Sequence, residues 1–294
     1  MAHSNRDPRE VGPKPPFPKQ KQAFPGSEKL LDPPADHGET SYTGRRRLED
    51  RVAIVTGADS GIGRAVAIAF AKEGAHIVMS YLPEEEEDAA EVAAVIERAD
   101  RVAVRRPGDI REPAYAKQLV DTAMEEFKKL DLVVNVAGFQ MAHESIADIS
   151  PEELDRTFRT NVYGTFFVIQ AALPHLKPGA VILNTTSIQA YEPSEQLMAY
   201  AATKAADLNL TKSVAKLAAK QGVRVNGVAP GPVWTPLIPS TMPQEKVRNF
   251  GENTAFGRPA QPIELAKVYV FLASDDASYV TGEIYEAPGG RTPY

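Results

Sequence analysis

Tyr200 and Lys204 stand four residues apart in Tyr200-Ala201-Ala202-Thr203-Lys204, a spacing that places both side chains on one face of a helix. There the lysine ammonium can lie beside the phenol and also reach a ribose hydroxyl. An unperturbed phenol titrates near about 10, and a positive charge beside it favours the phenolate. A tyrosine tuned in this way is a general acid for ketone reduction and a general base for alcohol oxidation. Ser187 comes 13 residues earlier, after the apolar run 181–183 and the polar Asn184-Thr185-Thr186. A hydroxyl at the C-terminal end of a strand can donate to an oxygen on which charge develops. Asn161, in Thr160-Asn161-Val162-Tyr163-Gly164, sits inside a helical stretch where asparagine is a mediocre helix former. Its side chain is either bonded to backbone or kept for the site. With ten tyrosines in the chain, a lone Y-x-x-x-K decides nothing.

These groups need a scaffold, and the stretch 52–63 supplies its start. Four apolar residues, Val52 to Val55, read as a buried strand; Gly57, Gly61 and Gly63 form the turn; apolar residues at helical spacing follow from Arg64 to Lys72. The glycines permit backbone angles that a Cβ opposes and allow close approach to a ligand. The turn is expected to deliver a bare helix N-terminus, for which a pyrophosphate is the natural occupant. Further along, strands are expected at 76–81, 101–105, 131–136, 180–186, 223–229 and 283–287. Helices are expected at 61–73, 85–98, 112–129, 151–176, 199–220 and 261–273. The 151 helix carries a start signal in Ser150-Pro151-Glu152-Glu153. Alternation of this kind predicts an α/β fold, a doubly wound parallel sheet of Rossmann type, with ligand beyond the carboxyl ends of its strands.

The second strand ends in Ser80-Tyr81-Leu82-Pro83, followed by the acidic run 84–88. An NAD enzyme usually has an acid at the strand's end and an NADP enzyme an arginine nearby. Neither marker is present, but the field of the acidic run opposes an extra phosphate, so NAD is favoured over NADP.

The glycine turn reads T-G-x-x-x-G-x-G, and with Asn161, Ser187, Tyr200 and Lys204 in that order and approximate spacing, 48–290 resembles a short-chain dehydrogenase/reductase. The resemblance implies that Ser187 orients a carbonyl, Tyr200 exchanges the proton, Lys204 tunes the tyrosine and binds nicotinamide ribose, and Asn161 supports a water in a proton relay. It implies cofactor contacts from Gly57, Asp59, Ser60, Gly61, Ile62 and Gly63, and from Tyr81. Asp109 would meet the adenine, with Ile110 beside it, although a turn-forming aspartate after Gly108 is the competing reading. Asn135-Val136-Ala137-Gly138 resembles the family's N-N-A-G with Val136 in place of the second asparagine, so contacts fall to Asn135, Ala137 and Gly138. Pro230, Gly231, Val233 and Thr235 match P-G-x-x-x-T. The proline-rich start together with Asp59-Ser60 resembles a bacterial subgroup with extended N-termini, some of them labelled general stress proteins.

Eight of the 24 prolines fall before Ala35, which divides the chain into an arm, 1–47, and a dinucleotide-binding and catalytic domain, 48–294. The arm is expected either to stay disordered or to pack on a neighbouring subunit through Phe17, Phe24, Leu30, Leu31 and Tyr42. Arg45-Arg46-Arg47 reads as a solvated boundary. The segment 231–260 is long for a plain connection; Trp234, Leu237, Ile238 and Met242 could close over a substrate, with Phe139, Gln140, Gln189 and Tyr191 facing them. Trp234 as core filler is the alternative. A net charge of -6 argues against a nucleic-acid surface. No apolar run reaches the roughly 18 residues of a membrane span. There are no cysteines and no metal-ligand spacing among the five histidines. No G-x-S-x-G surrounds Ser187, which removes a hydrolase nucleophile. The expectation is therefore a cytoplasmic NAD(P)-dependent oxidoreductase that interconverts a small alcohol with a ketone or aldehyde, without a bound metal. The family resemblance adds a homotetramer built through 112–129 and 151–176. A redox sensor that binds cofactor without turnover is the rival, and an intact Ser187, Tyr200 and Lys204 speaks against it.

Overall fold

The computed structural model describes residues 7–291. Seven strands form one parallel sheet: β1 (Val52–Thr56), β2 (His76–Tyr81), β3 (Ala103–Pro107), β4 (Leu132–Asn135), β5 (Val181–Thr185), β6 (Arg224–Pro230) and β7 (Ile284–Ala287), in the order β3-β2-β1-β4-β5-β6-β7. β1 is buried at all five positions, as a central parallel strand must be when helices cover both faces. On one face lie α1 (Gly61–Lys72), α2 (Glu86–Arg98) and α9 (Pro262–Ala273); on the other lie α3 (Pro113–Phe127), α5 (Gly164–Ala172) and α6 (Met198–Ala218). The strand order reverses between β1 and β4, and crevices for ligands open at such a switch point.

Two expected elements differ. β3 starts two residues later than 101–105, because its partner sets the register, Ile77 opposite Ala103. Arg101 is drawn out of the sheet into ion pairs with Glu49 and Asp50. The single helix expected over 151–176 is two helices, α4 (Pro151–Phe158) and α5, joined by a wider π turn at Arg159–Tyr163 that holds Asn161. Loosened turns of this kind collect at functional sites. The Ser150 hydroxyl caps α4, accepting from the Glu153 N–H at 3.1 Å.

Most of the arm's expected anchors are spent on their own chain. Phe17 stacks on Trp234 at 4.2 Å, and with Leu31, Ile238 and Val247 they make a third apolar cluster. Tyr42 is buried and donates to Glu73. Phe24 meets Phe139 edge-on at 5.0 Å, while Leu30 stays exposed. Ordering so polar a segment needs partners of this kind to offset its conformational entropy. Arg47, expected in solvent, pairs with the fully buried Glu73 at 2.7 Å. Burial would raise that carboxyl, but hydrogen bonds from Arg47 and Tyr42 outweigh it and hold Glu73 down at about 2.

The glycine turn folds tightly on itself: a Cβ on Gly63 would lie 1.8 Å from the Gly57 carbonyl oxygen. Gly63→Ala is therefore expected to destabilise the chain by about 1–3 kcal/mol or more through overpacking, read as a lower midpoint in urea unfolding.

Candidate active site

Two adjoining cavities open at the carboxyl ends of the strands. The first, about 180 Å³, runs from the ends of β2 and β3 across the glycine turn. The second, about 650 Å³, lies over the ends of β5 and β6. Ile62, Val136, Gly138, Thr235 and Leu237 line both, so the two are one continuous cleft.

The first cavity gathers Gly57, Asp59, Ser60, Gly61, Ile62, Gly63, Tyr81, Asp109, Ile110, Ala137 and Gly138, the residues expected to touch a dinucleotide. Gly57 (φ 64°) and Gly61 (φ 51°) occupy the left-handed region, which glycine enters without steric cost. Three expectations change. The N-terminus of α1 is not bare, because the Gly61 N–H donates to the arm's Glu28 carboxylate at 2.6 Å. Asn135 lies beneath the cleft floor, where its amide donates to Asn184 at 2.9 Å. Asp109 reaches the cavity but grips Arg111, accepting from Nε at 2.8 Å. Burial opposes the Asp109 charge, yet the Arg111 hydrogen bonds prevail and keep its carboxyl below the usual range. At the β2 end the field is acidic. Burial, with Asp88 and Glu28 nearby, lifts Asp59 to about 7. Burial together with the Asp59 charge lifts Glu85 to about 8.

The second cavity brings Ser187, Tyr200 and Lys204 together with Pro230, Gly231, Val233 and Thr235. Ser187 starts a short turn after β5 and accepts the Gln189 N–H at 3.1 Å. Tyr200 and Lys204 share a face of α6, with the ammonium 5.6 Å from the phenol ring centre. Lys204 donates to the Thr185 carbonyl at 2.8 Å and to Asp207 at 3.0 Å, and both members of that ion pair are buried. Burial opposes the lysine's charge, but Asp207 and then Tyr200 more than compensate, so Lys204 is held above its ordinary value. Burial in turn raises Asp207, whose Oδ1 has no hydrogen-bond partner among the described residues. Asn161 is fully buried. Its amide accepts the Phe139 N–H at 2.7 Å and donates to the Phe139 carbonyl at 2.9 Å and to Thr203 at 2.8 Å. Its side chain is thus bonded to backbone and to α6, with both amide donors in use.

Around these groups the segment 231–260 carries two short helices, α7 (Leu237–Thr241) and α8 (Gln244–Arg248). Leu237, Ile238 and Met242 line the second cavity with Gln140 and Gln189. Trp234 is fully buried against the arm, and Phe139 roofs the first cavity instead. Asp207 escaped the sequence reading although it is seven residues after Tyr200, and so on the same helical face. Glu28 and Arg156 had no local signal and Phe24 was read only as an arm anchor, since their place at the cleft depends on long-range packing.

A parallel sheet with a glycine turn at its switch point, and a serine, tyrosine and lysine gathered beside it, defines an oxidoreductase of Rossmann type. A sequence profile described as enoyl-(acyl carrier protein) reductase matches residues 57–292. The chain is 50% identical over 276 residues to an uncharacterized oxidoreductase of Escherichia coli, YghA, covering 94% of each. It is 45% identical to general stress protein 39 of Bacillus subtilis, covering 91% of this chain and 93% of that one. It is 41% identical to a glucose and ribitol dehydrogenase of Daucus carota, covering 93% and 96%. Among solved structures, a Burkholderia cenocepacia short chain dehydrogenase in complex with NADP superposes with a TM-score of 0.78 at 31% identity, covering 83% of this chain and 98% of that one. A Brucella melitensis 3-ketoacyl-(acyl-carrier-protein) reductase complexed with NADH superposes with a TM-score of 0.76 at 34% identity, covering 83% and 99%. The chain belongs to the short-chain dehydrogenase/reductase family and is an NAD(P)-dependent oxidoreductase.

The buried Lys204–Asp207 pair is costly to break from one side. Asp207→Asn is expected to lower stability by about 3–5 kcal/mol, the usual penalty for leaving one charge of a buried pair alone, measured by urea unfolding at neutral pH.

Proposed function

We propose that this chain interconverts an alcohol with a ketone or aldehyde, with Tyr200 exchanging the proton and Ser187 donating to the substrate oxygen. The observation that supports this most directly is the convergence of Ser187, Tyr200 and Lys204 on one cavity continuous with the glycine-lined cleft. The cleft suits a dinucleotide: glycine backbone at 57, 61, 63, 108 and 138 forms much of its wall. When bound there, a nicotinamide cofactor supplies or accepts the hydride. In the reductive direction the Ser187 hydroxyl and the Tyr200 phenol donate to the carbonyl oxygen, and as the alcohol forms the Tyr200 proton passes to it. Lys204 keeps a positive charge beside the phenol and lies within reach of a ribose hydroxyl. Asn161 positions α6 through Thr203, whose hydroxyl in turn donates to the Tyr200 carbonyl at 2.6 Å. Gln140, Gln189, Asn249 and Asn253 among the apolar lining favour a small hydroxylated substrate of sugar or polyol size, and the printed name of the carrot relative supports that class.

NAD is the preferred cofactor on this reading. No arginine lies in the Ser80-Tyr81-Leu82 stretch at the β2 end, while Asp59 and Glu85 line the cavity there. We further assign residues 1–47 as an arm on a catalytic domain 48–294, in a cytoplasmic homotetramer. Leu154, Tyr163 and Phe166, exposed on and between α4 and α5, support the self-association.

Tyr200→Phe is expected to lower kcat by about 10²–10⁴-fold, the usual weight of a positioned acid or base, while NADH affinity by fluorescence titration stays nearly constant. Loss of NADH binding instead would remove the assigned role. The acidic corner gives a pH-dependent preference. At pH 9, above both raised carboxyls, Asp59 and Glu85 are charged and repel a 2′-phosphate. Towards pH 6 both take up protons, so the kcat/KM ratio of NADH to NADPH is expected to fall, and Glu85→Gln to flatten that dependence. A ratio independent of pH in the unaltered chain would leave the preference without this cause.

A further inference from the structure

The arm crosses the dinucleotide cleft from one wall to the other. On the wall formed by segment 231–260, the Phe17 N–H donates to the Arg248 carbonyl at 2.8 Å and the Gln22 N–H to the Pro239 carbonyl at 3.1 Å. There too Trp234 Nε1 donates to the Pro33 carbonyl at 2.7 Å. On the opposite wall, the Glu28 N–H donates to Asp88 at 3.1 Å while the Glu28 carboxylate receives the Gly61 N–H at the head of α1. Between these moorings Phe24 and Pro25 line the first cavity.

Phe24 completes a cluster of two rings and a guanidinium there. The Arg156 guanidinium, from α4, lies 4.7 Å from the Phe24 ring centre and 4.2 Å from that of Phe139. All three side chains line the same cavity. A guanidinium over aromatic faces gains cation–π attraction, more so when desolvated. Arg156 takes part in none of the ion pairs formed by the other arginines and lysines described above, such as Arg47 with Glu73, Arg101 with Glu49 and Lys204 with Asp207. A half-buried cation without a carboxylate, facing a cleft for a doubly charged pyrophosphate, complements that ligand.

We propose that the arm is part of the cofactor site: Phe24, packed edge-on against Phe139 with the Arg156 guanidinium beside both rings, roofs the bound dinucleotide, which leaves only when this span of the arm lifts. The proposal rests on the reading of the first cavity as the dinucleotide cleft. Because the bound nucleotide and the docked arm hold each other, each stabilises the other by the same factor.

The test uses the full-length chain. NADH dissociation is followed by stopped-flow loss of its fluorescence on mixing with excess NAD, in the unaltered chain and in Phe24→Ala, Phe24→Tyr and Arg156→Ala. Phe24→Ala and Arg156→Ala are expected to speed dissociation about tenfold, the loss of roughly 1.4 kcal/mol, with the effect falling on the cofactor KM more than on kcat. Phe24→Tyr, which keeps the ring, is expected to restore slow release. In parallel, saturating NADH is expected to slow tryptic cleavage at Lys19 and Lys21 several-fold. If Phe24→Ala fails to fold, Arg156→Ala answers from the body of the domain. Dissociation within twofold of the unaltered chain in both alanine variants, or cleavage indifferent to NADH, overturns the proposal while leaving the cleft assignment intact. Failure of the unaltered chain to bind either NADH or NADPH overturns both.

Discussion

One amide holds the active site together. Asn161 is bonded at once to the N–H and the carbonyl of Phe139 and to the hydroxyl of Thr203, so the loop after β4 and the helix that carries Tyr200 and Lys204 are fixed relative to each other. A fully buried amide with its donors and acceptor matched costs little, whereas a mismatched one is expensive, which makes the arrangement close to all-or-none. The loosened turn at Arg159–Tyr163 presents that amide, and the break between α4 and α5 is its structural trace. Cofactor cleft and catalytic pocket meet on either side of this bond, so their mutual geometry follows from it.

Electrostatic design differs between the two ends of the cleft. In the second cavity, a buried lysine is kept charged by Asp207. At the β2 end, Asp59 and Glu85 crowd into a shared low-dielectric corner and resist ionisation. Low dielectric strengthens both effects. The same physics keeps a cation charged in one place and favours the neutral form of two carboxyls in the other.

Much of this was open to reading from the residues. Strand and helix positions follow from apolar runs and spacing, and residues 161, 187, 200 and 204 are joined by an order and spacing that resemble a short-chain dehydrogenase/reductase. Periodicity failed where tertiary partners set local geometry. Arg101 left the sheet for Glu49 and Asp50, and the 151–176 pattern hid a π turn because Asn161, Gly164 and their neighbours are equally compatible with α-helix until Phe139 and Ile110 arrive. Polar composition suggested a loose or intersubunit arm; what it lacked was the distant Trp234, which gives Phe17 a surface to cover. Asp207 alone was visible in principle, one helical turn beyond Lys204.

The segment 231–260, which lines the second cavity, bears a further consequence of its fastening by carbonyls and rings of the arm. Loops of that length commonly become ordered only as substrate arrives, and the entropy of ordering then weakens binding. Here the ordering is incurred once, during folding, so an incoming molecule meets a ready-made wall. Sequence drift in the first forty residues therefore has a route to altering which substrates are accepted while every reacting group stays as it is.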